Sequence, residues 1–214
     1  MINNASLVFV FATRMEADPF VTMVNAGKVQ TEPWPIYQAE IANQQAMIIV
    51  TGMGMTSAKT AIEFMLENYV INTIYNCGVA GSLCEEFVIG DIVNVTHSWI
   101  YRAGRIHDAV YSVSGHTTRL KGYSDGVLLT VDQPVFDQHQ KKLLSDVAQL
   151  VDMEGGMIAR LCKQNNIPCQ LIKIISDYAI EREQLTFYLD NVSKRLAHRL
   201  TIDITGLYRQ EMTA

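Results

Sequence analysis

Two periods of apolar residues take turns along this chain. Residues 7–12 and 46–51 are short apolar runs bounded by polar residues or glycine, which predicts buried β-strands. Residues 57–69 place Ala58, Ala61, Ile62, Met65 and Leu66 at helical spacing. Residues 73–76 read as another short strand, leading into a Gly-rich turn at Gly78-Val79-Ala80-Gly81, and 91–95 and 127–131 read as strands again. Residues 155–165 predict a helix with Met157, Ile158, Leu161 and Cys162 facing inward. Pro168 precedes the almost wholly apolar run 169–175, the pattern of a central strand covered on both faces. An amphipathic helix rich in Lys and Arg is expected from 187 to about 208. Residues 101–125, with Gly104, Gly115 and Gly122 and little periodicity, predict a long loop or an irregular hairpin, a length that tends to be functional. The alternation predicts an α/β fold: a single domain over residues 1–214, with a mixed, mostly parallel central sheet flanked by helices.

Composition narrows the class. A chain of 214 residues can bury one sizeable core, and 49% hydrophobic with 18% charged residues suits a soluble globular protein. The net charge of −5 offers no basic stripe, so nucleic acid is not an expected partner. No apolar run reaches the roughly 20 residues of a membrane span, so no membrane partner is expected. Residues 7–12 lack a preceding basic residue and are followed by Glu16, which favours a first strand over a signal-peptide core. Cys77, Cys84, Cys162 and Cys169 have no paired CxxC spacing and lie in or beside apolar segments, as reduced core thiols of a cytoplasmic protein do. His97, His107, His116, His139 and His198 show no ligand spacing, so no metal is expected.

The candidate chemistry sits at strand–helix junctions. Val151-Asp152-Met153-Glu154-Gly155-Gly156 puts a carboxylate at the mouth of a helix. Ile175-Ser176-Asp177-Tyr178-Ala179 puts another just past the end of the apolar strand, where open α/β sheets bind ligands. Two carboxylates in one site can divide acid and base roles. Glu16 and Asp18 follow the first strand. Thr51-Gly52-Met53-Gly54-Met55-Thr56-Ser57 opens a helix whose N–H groups are available to a ligand, although Ser57 breaks the dinucleotide fingerprint and Lys59 is misplaced for a P-loop. Asn76-Cys77-Gly78-Val79-Ala80-Gly81-Ser82 leaves room and backbone amides for a ligand. Each motif also has a structural reading: Glu16, Asp18, Ser176 or Asp177 as helix caps, Glu154 as a partner of the helix dipole, and the glycines as plain turns. Their joint placement at successive junctions favours one shared rim.

In order, the GMG of 52–54, the GxAGS of 78–82 followed by Gly90-Asp91, the MEG of 153–155 and the SD of 176–177 resemble the nucleoside phosphorylase and nucleosidase superfamily. The resemblance runs from the first strand to Ala179 and is weak only across 103–125. Within the superfamily, the chain is most similar to 5′-methylthioadenosine/S-adenosylhomocysteine nucleosidases and futalosine hydrolases. Phosphorylases of this superfamily typically carry an arginine in the turn after the 73–76 strand. Residues 76–86 contain none, which removes the strongest bidentate contact to phosphate and favours water as nucleophile. Arg14 could replace it from the first loop.

The resemblance implies that Asp177 donates a proton to N7 of the leaving purine and that Glu16 orients and deprotonates the attacking water. It implies that Glu154 accepts hydrogen bonds from the ribose hydroxyls and faces the cationic sugar, with Met153 packed on that sugar. Val79, Ala80 and Gly81 would line the floor, Val135 and Phe136 would contact the base, and Ser176 would neighbour Asp177. The chain departs from the family pattern at Val79, where serine is usual, and at Lys173, where an arginine commonly supports the glutamate of MEG. It also departs at 130–136, where the aromatic of an SGDxFI-like loop is displaced by two positions. Asp177 favours the adenine-type nucleosidases, whereas residues 12–20, Tyr178 and Glu181-Arg182-Glu183 look closer to the futalosine branch. The implied activity is cofactor-free hydrolysis of the N-glycosidic bond of a 5′-modified purine nucleoside of the methylthioadenosine/S-adenosylhomocysteine type, by a homodimer. The alternatives are a futalosine hydrolase, a purine nucleoside phosphorylase and a catalytically silent nucleoside-binding protein.

Overall fold

The structure, a computed structural model, describes residues 3–111, 120 and 122–211. Strand β1 (Asn3–Phe11) lies between β4 (Gln44–Val50) and β5 (Tyr69–Ser82) and is parallel to both. β2 (Gly27–Gln30) and β3 (Ile36–Ile41) continue the sheet beyond β4 as an antiparallel edge. On the other side the sheet closes on itself. β5 pairs with β10 (Cys169–Asp177), β10 with β6 (Ile92–Arg102) and β6 with β8 (Ser124–Val131). β8 pairs with β9 (Leu150–Asp152), and β9 returns to β5. The sheet is mixed, and β7 (Arg105–Tyr111) hangs from β6 as a hairpin partner.

Period-two alternation along the strands sorts the core into layers. Val8 and Val10 of β1, with Leu171 and Ile175 of β10, join one cluster with α2 (Met55–Asn68) and α4 (Gly155–Gln164). Leu7, Phe9 and Phe11, with Ile172 and Ile174, pack on the opposite face. Helices α1 (Arg14–Met23) and α5 (Arg182–Glu211) cover that face. A third cluster, including Val131, Val135, Leu144 and Ala179, lies under α3 (Gln138–Ser145). All nine residues of β10 are buried, as the continuous apolar run 169–175 predicts. Among the described residues no helix is long and apolar enough to cross a membrane.

Several boundaries differ from the sequence expectation. Residues 78–81 are not a turn: β5 runs straight through them, paired to β10 from Gly78↔Lys173 to Gly81↔Asp177. Their glycines serve close approach. A Cβ at Gly78 would lie 2.7 Å from Glu16 Oε1, and one at Gly81 2.9 Å from Asp177 Oδ1. Asp177 is the last residue of β10 rather than the first beyond it, and the register shifts between Ile175 and Asp177. The segment 101–125 contains the end of β6, a turn at Ala103 (φ 48°) and Gly104 (φ 77°), β7 and the start of β8. Gly115 and His116 within it lie outside the described residues. Short elements β2, β3, α3 and β9 were not expected from the sequence, and α5 begins at Arg182 instead of 187.

Candidate active site

One cavity, open at its mouth, gathers the ten residues to which the resemblance assigns a role. Glu16, Asp177, Glu154, Met153, Val79, Ala80, Gly81, Val135, Phe136 and Ser176 all line it. Residues remote in sequence meet there because β1, β5, β8, β9 and β10 deliver their ends, or the segments after them, to the same rim.

Glu16 is held by the start of its own helix. Thr13 is the N-cap of α1, and Thr13 with Glu16 forms a reciprocal capping box. The Thr13 amide and hydroxyl donate to Glu16 Oε2 at 2.8 and 2.7 Å, and the Val79 amide donates to Oε1 at 3.0 Å. The capping role and the site role coincide, because the cap fixes one oxygen and leaves the other facing the cavity floor. A carboxylate oxygen has two lone pairs, so Oε1 keeps one for a bound molecule. Asp18 forms no cap and instead pairs with Arg14 at 3.6 Å on the exposed face of α1.

Asp177 is held as firmly. Ser176 Oγ donates to Asp177 Oδ2 at 2.7 Å, and the Ala179 amide donates to Oδ1 at 2.8 Å. Neither Ser176 nor Asp177 caps α5, which starts several residues later. Asp177 is 5% exposed, so its remaining lone pairs face the cavity rather than bulk solvent.

Glu154 occupies the N-cap position of α4 but makes no side-chain cap bond. Its Oε1 instead accepts from the Gly54 amide at 2.6 Å, so the glycine segment after β4 grips a protein carboxylate rather than offering that N–H to a ligand. Burial pushes the Glu154 pKa up from its ordinary 4.5 to about 7. The negative charge of Asp152 adds to the rise, while Lys173 and the Gly54 hydrogen bond oppose it.

Lys173 does not bond Glu154. It points to the α4 side of the sheet, where its Nζ meets Asp152 Oδ2 at 2.8 Å with both side chains 2% exposed. Asp152 also accepts from the Gly155 amide at 2.8 Å and from Thr130 Oγ1, which itself accepts from the Gly156 amide at 2.7 Å. Burial lowers the Lys173 pKa, but Asp152 and then Glu154 outweigh it, so the pKa stands above the usual lysine value. The expected support of Glu154 by residue 173 is therefore electrostatic, and the direct contact belongs to Asp152.

The sequence reading missed other wall residues, among them Thr13, Met53, Leu185 and Leu189. The Thr13-x-x-Glu16 spacing is a capping-box signature that could have found Thr13. Leu185 lies before the expected start of the last helix at 187, and Leu189, one helical turn on, lies inside it. Pro134, Val135 and Phe136 do form part of the wall, despite the displaced aromatic. Among the described residues no Lys, Arg or His lines the cavity. Arg14 is directed to Asp18 instead.

A closed mixed sheet with this carboxylate-lined rim defines a class, and comparison with known proteins identifies it. The Phosphorylase superfamily profile matches residues 6–202, and the chain belongs to that superfamily. A 5′-methylthioadenosine/S-adenosylhomocysteine nucleosidase from Buchnera aphidicola subsp. Acyrthosiphon pisum (strain APS) is 29% identical over 201 residues, covering 81% of this chain and 86% of the relative. Among solved structures, a 5′-methylthioadenosine/S-adenosylhomocysteine nucleosidase from Helicobacter pylori with butyl-thio-DADMe-Immucillin-A superposes with a TM-score of 0.84 at 18% identity, covering 97% of this chain and 100% of that one. Native futalosine hydrolase of Helicobacter pylori strain 26695 gives the same TM-score, 0.84, at 18% identity, covering 97% and 99%. These two structural likenesses establish the fold.

Proposed function

We propose that this protein hydrolyses the N-glycosidic bond of a purine nucleoside with an uncharged, apolar 5′ substituent, of the methylthioadenosine type, and releases the free purine. The observation that carries this reading is a single cavity containing separately anchored carboxylates and, among the described residues, no cationic side chain. In this reading the electron pair of the C1′–N9 bond leaves with the base, and Asp177 gives its proton to N7. The sugar becomes oxocarbenium-like, and ionised Glu154 stabilises that charge while accepting from the ribose hydroxyls. Glu16 takes a proton from the water that attacks C1′, then releases it to solvent as solvent returns a proton to Asp177 for the next turnover. Met153 packs on the sugar, Val79 to Gly81 form the floor, and Val135 with Phe136 contact the base. No cofactor enters the scheme.

Two alternatives fit the cavity less well. Phosphorolysis needs a cation for phosphate, and Arg14, the candidate replacement, faces Asp18 outside the cavity. A 5′ group ending in a carboxylate, as in futalosine, would find no counter-charge among the described residues that line the cavity. A homodimer belongs to the proposal on the strength of the resemblance, and sedimentation at assay concentration checks it; a monomer would contradict it. The deciding experiment incubates the protein with methylthioadenosine, S-adenosylhomocysteine, inosine or futalosine, with and without phosphate, and measures free purine. Adenine release from methylthioadenosine, unaffected by phosphate, is the expected result. Phosphate-dependent ribose 1-phosphate would assign a phosphorylase, and stabilisation by nucleoside without base release would assign a silent binder.

A further inference from the structure

Asp177 is anchored from outside the cavity by a charge that never touches it. Lys141, in the first turn of α3, donates from Nζ to the Tyr178 carbonyl oxygen at 2.8 Å. Its ammonium also lies 5.8 Å from the centre of the Tyr178 ring. That carbonyl belongs to the peptide whose N–H, on Ala179, donates to Asp177 Oδ1 at 2.8 Å. In a trans peptide the C=O and N–H point in opposite directions. The ammonium, the peptide dipole and the carboxylate therefore form a chain in which each member polarises the next.

The turn does not hold this shape by local preference. Ala179 has φ +54°, a region that residues with a Cβ seldom adopt and that persists where the surroundings impose it. The surroundings here come from two elements. Lys141 holds the Tyr178 carbonyl from α3, and Gln184 Oε1 accepts from the Tyr178 amide at 3.2 Å at the start of α5. Of the two, α5 contributes Leu185 and Leu189 to the cavity wall, and α3 follows the wall segment Pro134-Val135-Phe136 in the chain. Among the described residues Lys141 forms no ion pair with a carboxylate, so its charge is committed to this carbonyl.

We propose that Lys141 is a positioning residue for Asp177, fixing the Tyr178–Ala179 peptide so that its N–H holds the carboxyl in the geometry that delivers a proton to the leaving base. This inference rests on the hydrolase reading above, and it makes Lys141 matter only when the leaving group needs that proton.

The test compares two substrates with one sugar: methylthioadenosine, whose base leaves with a proton, and 4-nitrophenyl 5-methylthioriboside, whose phenolate leaves without one. Lys141→Met should lower kcat for adenine release about ten- to a hundredfold with KM nearly unchanged, the scale of a misplaced catalytic group. Nitrophenol release by the same variant should stay within about twofold of wild type, because only proton delivery is perturbed. Lys141→Arg, which keeps charge and donor, should restore most of the loss and guards against a simple folding defect. Adding Lys141→Met to Asp177→Asn should cost nothing further, since both act on one step. Equal losses on both substrates, no loss on either, or full additivity with Asp177→Asn would overturn the role of Lys141. Absence of adenine release by the wild-type protein would instead overturn the hydrolase reading, and the inference with it.

Discussion

At the scale of single residues, Glu154 faces opposing demands. The proposed chemistry needs its negative charge, yet burial and the neighbouring Asp152 raise its pKa from 4.5 to about 7. A carboxyl whose folded pKa is raised contributes stability that is complete below its unfolded pKa and is lost as pH rises through the folded one. Between about pH 4.5 and pH 7 the fold therefore loses on the order of 3 kcal/mol from ionising this group. Glu154→Gln should raise the melting temperature at pH 8 and change it little at pH 5. Unequal gains of that kind in thermal scans support the account, and a less stable variant at pH 8 contradicts it. In the wild type, kcat/KM for base release should fall as pH drops through about 7, and Glu154→Gln should be nearly inactive at all pH values. Lys173 and Asp152 form the complementary case. Removing one partner of a buried pair leaves the other charge stranded, so Lys173→Met should cost about 3–5 kcal/mol in urea unfolding. The double variant Asp152→Asn with Lys173→Met should recover part of that loss; no recovery would show that the pair is not the cause.

At the scale of elements, β5 does the positioning because its small residues let two acids come close. Gly78→Ala would push against Glu16 Oε1, and Gly81→Ala against Asp177 Oδ1, Val151 and Ala179. Each should lower kcat about tenfold or more while the protein stays folded. Gly27→Ala, in β2, meets nothing within 4 Å and should leave turnover unchanged. Full activity in both β5 variants would show that the close approach is dispensable. The same strand marks where the sequence stopped being legible. α4 and β10 were readable because amphipathic spacing and an unbroken apolar run are local signals. Gly78 and Gly81 imitate a turn locally, and only the folded chain reveals that Glu16 and Asp177 occupy the space their side chains would fill. The weakly apolar β2 and the three-residue β9 carry too little pattern to be recognised alone. The site itself was more legible than its scaffold. Glu16, Glu154 and Asp177 lie at ordered junction motifs, whereas Thr13 and Leu185 depend on a cap and a helix start that fall elsewhere than expected, and Leu189 sits inside the expected helix with no local sign of a wall role.

At the scale of the whole molecule, the closed pairing of β5, β10, β6, β8 and β9 makes the cavity a property of topology. No single segment contains it. Glu16 arrives after β1, Val79 within β5, Val135 and Phe136 after β8, Glu154 after β9 and Asp177 at the end of β10. The glycine segment after β4 contributes through the Gly54 grip on Glu154. The account stands on two of these groups, Glu16 and Asp177, acting together on one bound nucleoside. The initial rate of adenine release from methylthioadenosine in phosphate-free buffer, compared for wild type, Glu16→Gln and Asp177→Asn, tests this most directly. Steady turnover by the wild type, with each folded variant slowed by about a hundredfold or more, is the expected result. Near-normal release by either folded variant would contradict it.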